Sequence, residues 1–215
     1  MGRPRVHGDD TRDALLAAAE ALVAEGGIEA VSVRNAATRA GTTTRAVYVL
    51  FGSKEGLLEA LARRAFELLM DAVAAVPPST DPRRDLVSRT VGGFRPFALE
   101  HPDLFRLFFT AEVSRRVLGP DAEASGTAAY GQLADLIARA KVAGGLGDYS
   151  VGEATLLWDA LCTGLALREI CGPIRAADGE RIWTDALEAF LAGLGRDRKA
   201  GAIPGSNLDT VGSSS

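Results

Sequence analysis

Residues 32–54 constrain this chain more than any other stretch. They carry Arg34, Arg39, Arg45 and Lys54 and no acidic side chain. Ser32 is a candidate N-cap for a short helix whose small apolar face is Val33, Ala36, Ala37 and Ala40, and Gly41 stops it. A further short helix opens after Thr42 or Thr43 and runs to about Leu50, with Val47 turned to the same core. Two short helices meeting through alanines, with glycine at the corner, describe a helix-turn-helix. Ala37 must be small where the helices cross, and Gly41 takes positive φ without steric cost. Thr43, Thr44, Arg45 and Tyr48 are then left on the outer face of the second helix. Side chains of that kind reach phosphates and base edges when a helix enters a major groove.

The formal charge of the whole chain is −4, which taken alone argues against a nucleic-acid partner. Local charge decides, because phosphate responds to the nearest cations. The excess of acid falls after residue 70, and the first eight residues add Arg3 and Arg5, a candidate arm along the DNA backbone or minor groove.

The rest reads as helix throughout, and the fold class is all-α. A first helix spans about Asp10 to Glu25, capped by Asp9, Asp10 or Thr11 and ended by Gly26-Gly27. Ser53 caps a fourth helix with Leu57, Leu58, Leu61, Ala65, Leu68 and Leu69 inward, and the prolines at 77, 78 and 82 end it in a loop. A fifth helix from Arg83 must kink or break at Gly92, Gly93 and Pro96. Short apolar helix follows over Asp103 to Phe109, extended irregularly to Leu118. Longer helices cover about Asp121–Val142, the stretch from the Ser150/Glu153 capping box to Ile170, and Asp178–Leu194. Three regions result: a DNA-binding domain over 9–70, a ligand-binding and dimerisation domain over 71–195, and a Gly/Ser-rich tail over 196–215 that reads as disordered.

The helix-turn-helix is followed by Val47-Tyr48-Val49-Leu50-Phe51-Gly52-Ser53-Lys54-Glu55-Gly56-Leu57-Leu58. With it, residues 10–60 resemble the TetR family of transcriptional regulators. The resemblance implies that Tyr48 and Lys54 touch backbone phosphates and that Phe51 packs under the recognition helix. Val49 and Leu50 stand where the family often has His or Tyr and an aromatic. The DNA contacts are expected from Ser32, Arg34, Thr43, Thr44, Arg45, Tyr48, Val49 and Lys54. Further on, 101–109 and 157–165 are similar to one branch of TetR C-terminal domains, in which a Trp and a His-Gly pair are usual. Trp158 is present here, and Cys162 and Thr163 replace the histidine.

By the same resemblance the second domain encloses an apolar pocket for an unknown small apolar or amphipathic ligand. Phe94, Phe97, Phe105, Phe108, Phe109, Trp158 and Cys162 are its candidate lining, with Arg95, Thr163 and Arg168 as polar anchors. Two apolar stripes, Leu157, Leu161, Gly164, Leu165 and Trp183, Leu187, Phe190, Leu191, Leu194, suggest a homodimer through a four-helix bundle. The competing reading of both stripes is core within one chain.

Two cysteines nine residues apart and two histidines, His7 and His101, do not suit a metal site, and no cofactor is expected. His101, before a proline, suits a surface or helix end. No apolar run reaches a membrane span and the start lacks a secretory signal, so a cytoplasmic chain is expected. The expected function is transcriptional control, as a ligand-released repressor on a palindromic operator. The alternatives are an activator or architectural DNA-binding protein without an effector and, more remotely, an all-α enzyme.

Overall fold

The computed structural model describes residues 6–109, 119–144 and 146–195, so the arm at Arg3 and Arg5, the extension to Leu118 and the tail lie outside the described residues. The fold is all-α, and the described residues contain no strand. In order come α1 (Val6–Ala30), α2 (Val33–Arg39), α3 (Thr44–Phe51), α4 (Lys54–Ala75) and α5 (Pro82–Arg89). A π-helical turn (Thr90–Phe94) follows, then α6 (Arg95–Glu100), α7 (Pro102–Phe109), α8 (Pro120–Val142), α9 (Val151–Ile170) and α10 (Ala176–Leu194).

Local chemistry explains the head. Ser32, Thr43 and Ser53 each turn a hydroxyl back on the first turn of α2, α3 and α4, accepting from the amides of Asn35, Ala46 and Gly56 at 3.1, 3.2 and 3.1 Å. Gly41 makes the corner between α2 and α3 with φ +64°, and the Thr42 amide donates to the Ala37 carbonyl at 2.9 Å. The expected cap at Asp9 to Thr11 is not used, because α1 already starts at Val6 and Asp9 lies in its first turn. The stop expected at Gly26-Gly27 is a break within it: Gly27, at φ +66° and ψ −164°, leaves helical geometry, and a last turn runs on to Ala30.

Helix α4 is common to both halves of the molecule. It packs on α1 and α3 near its start, and on α7, the π turn and α8 further along. Leu57, Leu58, Leu61, Ala65 and Leu69 are buried along it. Each fully buried leucine stabilises the fold by about 1.5–3 kcal/mol.

The kink expected at Gly92, Gly93 and Pro96 is the π turn. Proline at 96 has no amide to donate, and the Arg95 amide reaches back to the Thr90 carbonyl. Gly93 lies against α4 so closely that a Cβ there would sit 2.7 Å from the Val73 Cα. The Thr90 hydroxyl donates to the Leu86 carbonyl at 2.8 Å and accepts from the Trp158 indole at 3.2 Å, tying the turn to α9.

A buried polar network joins α6, α9 and α10. Arg95 meets the Glu169 carboxylate with two bonds, Nε to Oε2 at 3.0 Å and Nη2 to Oε1 at 2.7 Å. The Trp183 Nε1 donates to the same Oε2 at 2.8 Å. The bonds that the Arg95 guanidinium donates to Glu169 hold it above its ordinary value. Two expectations are corrected here. Arg95 is a structural ion pair, not a ligand anchor. On α10, Trp183 and Leu187 are 0% exposed and Leu191 and Leu194 are buried, so these four are core of their own chain, and Phe190 alone of the stripe remains half-buried. The heptad-like spacing of a helix packed on a core and of one packed on a second copy is the same, which is why the pattern misled.

Arg95→Ala leaves Glu169 buried without its countercharge. It is expected to cost about 3 kcal/mol, read as a fall in urea midpoint at unchanged m value. A change below about 1 kcal/mol would show that the pair contributes little to the fold.

Candidate functional site

Two features stand apart: the outer face of α3 and a cavity beside α4. On α3, Val47 is buried against the head core, which turns Thr44, Arg45, Tyr48 and Val49 outward. Tyr48 is 57% and Val49 75% exposed, an unusual state for large side chains on a short helix. Arg34 on α2 and Thr43 at the start of α3 are also exposed, while Ser32 and Lys54 are half-buried at the first turns of α2 and α4. Every residue of the sequence-derived set is thus exposed or half-buried, at α2, at α3 or at the first turn of α4. Arg39 is the exception within the acid-free stretch: it is paired with Glu25 of α1, whose carboxyl its hydrogen bond holds below the ordinary range.

The seat of α3 is fixed from behind. Phe51, half-buried, ends the helix, and the Arg12 guanidinium of α1 lies 4.9 Å above its ring. Gly56 lies so close to the end of α3 that a Cβ would fall 2.0 Å from the Phe51 carbonyl oxygen. Its necessity was not apparent in the sequence, although the Lys-Glu-Gly run contains it.

The cavity has a volume of about 210 Å³ and lies between α4, the π turn, α8 and α9. Of the candidate pocket residues, Phe94, Phe109, Trp158 and Cys162 line it. Phe97, Phe105 and Phe108 do not: they are buried core, with Phe105 stacked on Phe109 at 5.4 Å. Thr163 and Arg168 lie elsewhere on α9, away from the lining. Missed altogether was the contribution of α4, through Phe66, Leu69, Met70 and Val73, and of α8, through Tyr130, Leu133 and Leu136. Those α4 residues form an i, i+3, i+4, i+7 stripe that reads simply as core.

The polar side chains at the wall differ in state. Arg89 is committed to Asp85, Nε to Oδ1 at 3.0 Å, and donates through Nη1 to the Val73 carbonyl at 3.0 Å. Burial pushes the Cys162 thiol far above its ordinary value, with nearby Asp159 adding to the effect, so it is a poor nucleophile. Burial also raises the Asp159 carboxyl from 3.8. Burial and the charge of Asp159 together raise the phenol of Tyr130. His101, at the end of α6, is turned away and meets Glu20 of α1 at 2.8 Å. Among the described residues no cluster of His, Cys, Asp or Glu is placed to hold a metal, and no helix is long and apolar enough to cross a membrane.

An outward-facing recognition helix on a helix-turn-helix, carried by a helical body, defines a DNA-binding transcriptional regulator. Residues 15–61 match the family of bacterial regulatory proteins of the tetR type, and residues 87–190 match the tetracyclin repressor-like C-terminal domain. The chain belongs to the TetR family. Solved structures share its fold. The TetR family transcriptional regulator PfmR of Thermus thermophilus is 24% identical with a TM-score of 0.66, over 85% of this chain and 99% of that one. The ketosteroid transcriptional regulator KstR2 of Mycobacterium tuberculosis is 20% identical with a TM-score of 0.65, over 86% and 95%. The fatty acid degradation regulator FadR of Bacillus halodurans is 17% identical with a TM-score of 0.69, over 85% and 98%. No curated protein matches the sequence.

Two outcomes test this geometry. Gly56→Ala must push α3 off α4, and is expected to cost about 1–3 kcal/mol and to weaken DNA binding; full binding by a stable Gly56→Ala would contradict the close contact. Because burial raises the Asp159 carboxyl, the folded chain holds that proton more tightly than the unfolded one, and stability falls as pH rises through the interval just above 3.8. Asp159→Asn is therefore expected to melt a few degrees higher than the parent at pH 7, with the gain vanishing below about pH 4, as calorimetry would show.

Proposed function

We propose that this regulator is a ligand-released repressor that binds a pseudo-palindromic operator as a homodimer. The observation that carries the reading is the course of α4. It supports α3 at its start and supplies Phe66, Leu69, Met70 and Val73 to the cavity wall. Lys54 and Phe66 are twelve residues apart, about 18 Å along one rigid helix. A ligand that alters the wall therefore alters the bearing of the head. It acts by binding the DNA-incompetent arrangement more tightly, on the usual scale of about 1–3 kcal/mol.

At the head, Thr44, Arg45 and Val49 face the base edges, while Tyr48, Lys54, Thr43, Ser32 and Arg34 face phosphates. The cap hydroxyls of Ser32 and Thr43 each accept one bond from their own helix and keep a proton to donate. Two heads on successive major grooves need a separation near 34 Å, which one chain does not provide.

The second copy is expected on the outer faces of α9 and α10. With the Trp183 stripe buried, the face of α9 is Leu156, 61% exposed, Leu157, Ala160 and Gly164, flanked by half-buried Leu161 and Leu165. On α10 it is Ile182, Ala186, Ala189 and Gly193, beside half-buried Phe190. Small residues at these positions let helices approach closely across a two-fold axis. The neighbours named for ketosteroid regulation and fatty acid degradation agree with an apolar effector. A catalytic role finds no support in the site, where the thiol is held protonated and His101 is occupied by Glu20.

With an operator recovered by selection from random duplexes, Arg45→Ala is expected to lose about 1–3 kcal/mol and to relax the preference at one base pair per half-site. Equal weakening on every sequence would make Arg45 a phosphate contact. Leu157→Glu is expected to yield a folded monomer in sedimentation and to lose operator affinity. A dimer that persists in Leu157→Glu would move the interface elsewhere, and transcription raised rather than lowered by the bound protein would replace repression by activation.

A further inference from the structure

The cavity wall is apolar and aromatic, apart from a few polar groups, most of which are already engaged. The Thr90 hydroxyl is shared between the Leu86 carbonyl and the Trp158 indole. Arg89 is engaged by Asp85, which the Ser79 amide and Arg139 also approach, at 3.0 and 3.2 Å. The Gln132 amide meets the Met70 sulfur at 3.6 Å. Asp159 differs. It reaches the cavity from α9 and makes no hydrogen bond or ion pair among the described residues. Its charge is felt by two other residues of the wall, Tyr130 and Cys162. Burial of a carboxylate that no described residue pairs costs stability.

We propose that the cavity's ligand is an apolar amine, whose ammonium group sits against the Asp159 carboxylate while its hydrocarbon part lies among Phe66, Phe94, Phe109 and Trp158. The inference rests on the cavity being the effector site and adds the chemical class of the effector. An ammonium ion supplies a countercharge that no described residue gives Asp159, and bound opposite it reverses the effect of burial on that carboxyl. The aromatic rings offer their faces to the same cation, a contribution that grows when water is excluded. Tyr130, 44% exposed and next to Asp159, can accept or donate one bond at the entrance. An anionic ligand would meet the Asp159 carboxylate, while the Arg89 guanidinium of the same wall is held by Asp85 and the Val73 carbonyl. The volume suits a molecule of about ten to fifteen non-hydrogen atoms.

The test uses three probes of one shape, 4-phenylbutylamine, 4-phenylbutanol and 4-phenylbutyrate, titrated calorimetrically into the intact parent and Asp159→Asn. The parent is expected to bind the amine at least tenfold more tightly than the alcohol and to bind the carboxylate least. Asp159→Asn is expected to bind the amine and the alcohol alike. Asp159→Glu, which keeps the charge, is expected to retain preference for the amine and guards against a packing defect in the asparagine variant. The alcohol or carboxylate binding as well as the amine, no binding of the amine, or a preference unchanged in Asp159→Asn would each overturn the proposal. The same titration repeated on the protein–operator complex separates the two readings. Amine selectivity without release of DNA would leave the amine site standing and remove its role as effector site.

Discussion

The structure depends on the close approach of α4 to its neighbours at two glycines. At Gly56 the Phe51 carbonyl occupies the space of a missing side chain, and at Gly93 the π turn rests on the backbone of α4 beside Val73. Both contacts are backbone on backbone, so they transmit displacement with little of the slack that side chains allow. The head and the body are thereby held to one helix. Their relation is also fixed from the side by α1, which packs on α7 and offers Glu20 to His101.

Around that helix the chain divides its polar chemistry into satisfied and unsatisfied parts. The Arg95–Glu169–Trp183 network is closed, and Gly179 leaves room for it: a Cβ there would fall 2.1 Å from the Glu169 Oε1. Such a closed network fixes how α6, α9 and α10 pack. Asp159 stands outside that network, and Arg45 and Tyr48 face outward from α3. The charge of −4 is unevenly placed, since residues 32–54 carry four basic side chains and no acidic one, and local charge is what meets a polyanion.

Much of this was legible from residues alone, wherever a local rule governs. The hydroxyl caps, the break at Gly27, the stop at Gly41, the kink at Gly92-Gly93-Pro96 and the Ser150/Glu153 capping box are set by chemistry within a few positions along the chain. The outward set on α3 followed from the burial of Val47 and the eight-residue length of the helix. What was not legible depends on partners distant in sequence. Trp183 and Leu187 have the spacing of an interface and turn out to be core, while Leu156, read as nothing in particular, is among the more exposed apolar side chains. Arg95 looked free because Glu169 is seventy-four positions away. Asp159 stood in plain view beside Trp158, but an acid on a helix is ordinary until the cavity around it is known.

The central claim is that occupancy of the cavity and the spacing of the two heads are one equilibrium, joined by α4. Spin labels at Ala17, exposed on α1 and outside the DNA-contact set, in both protomers, read by pulsed dipolar spectroscopy, measure it most directly. With operator DNA the distance distribution is expected to narrow to one value, set by heads held at the groove repeat of about 34 Å. Without DNA, a ligand that fills the cavity is expected to move the distribution away from that value. A ligand that binds beside Asp159 and leaves the distribution between the heads unchanged would contradict the account.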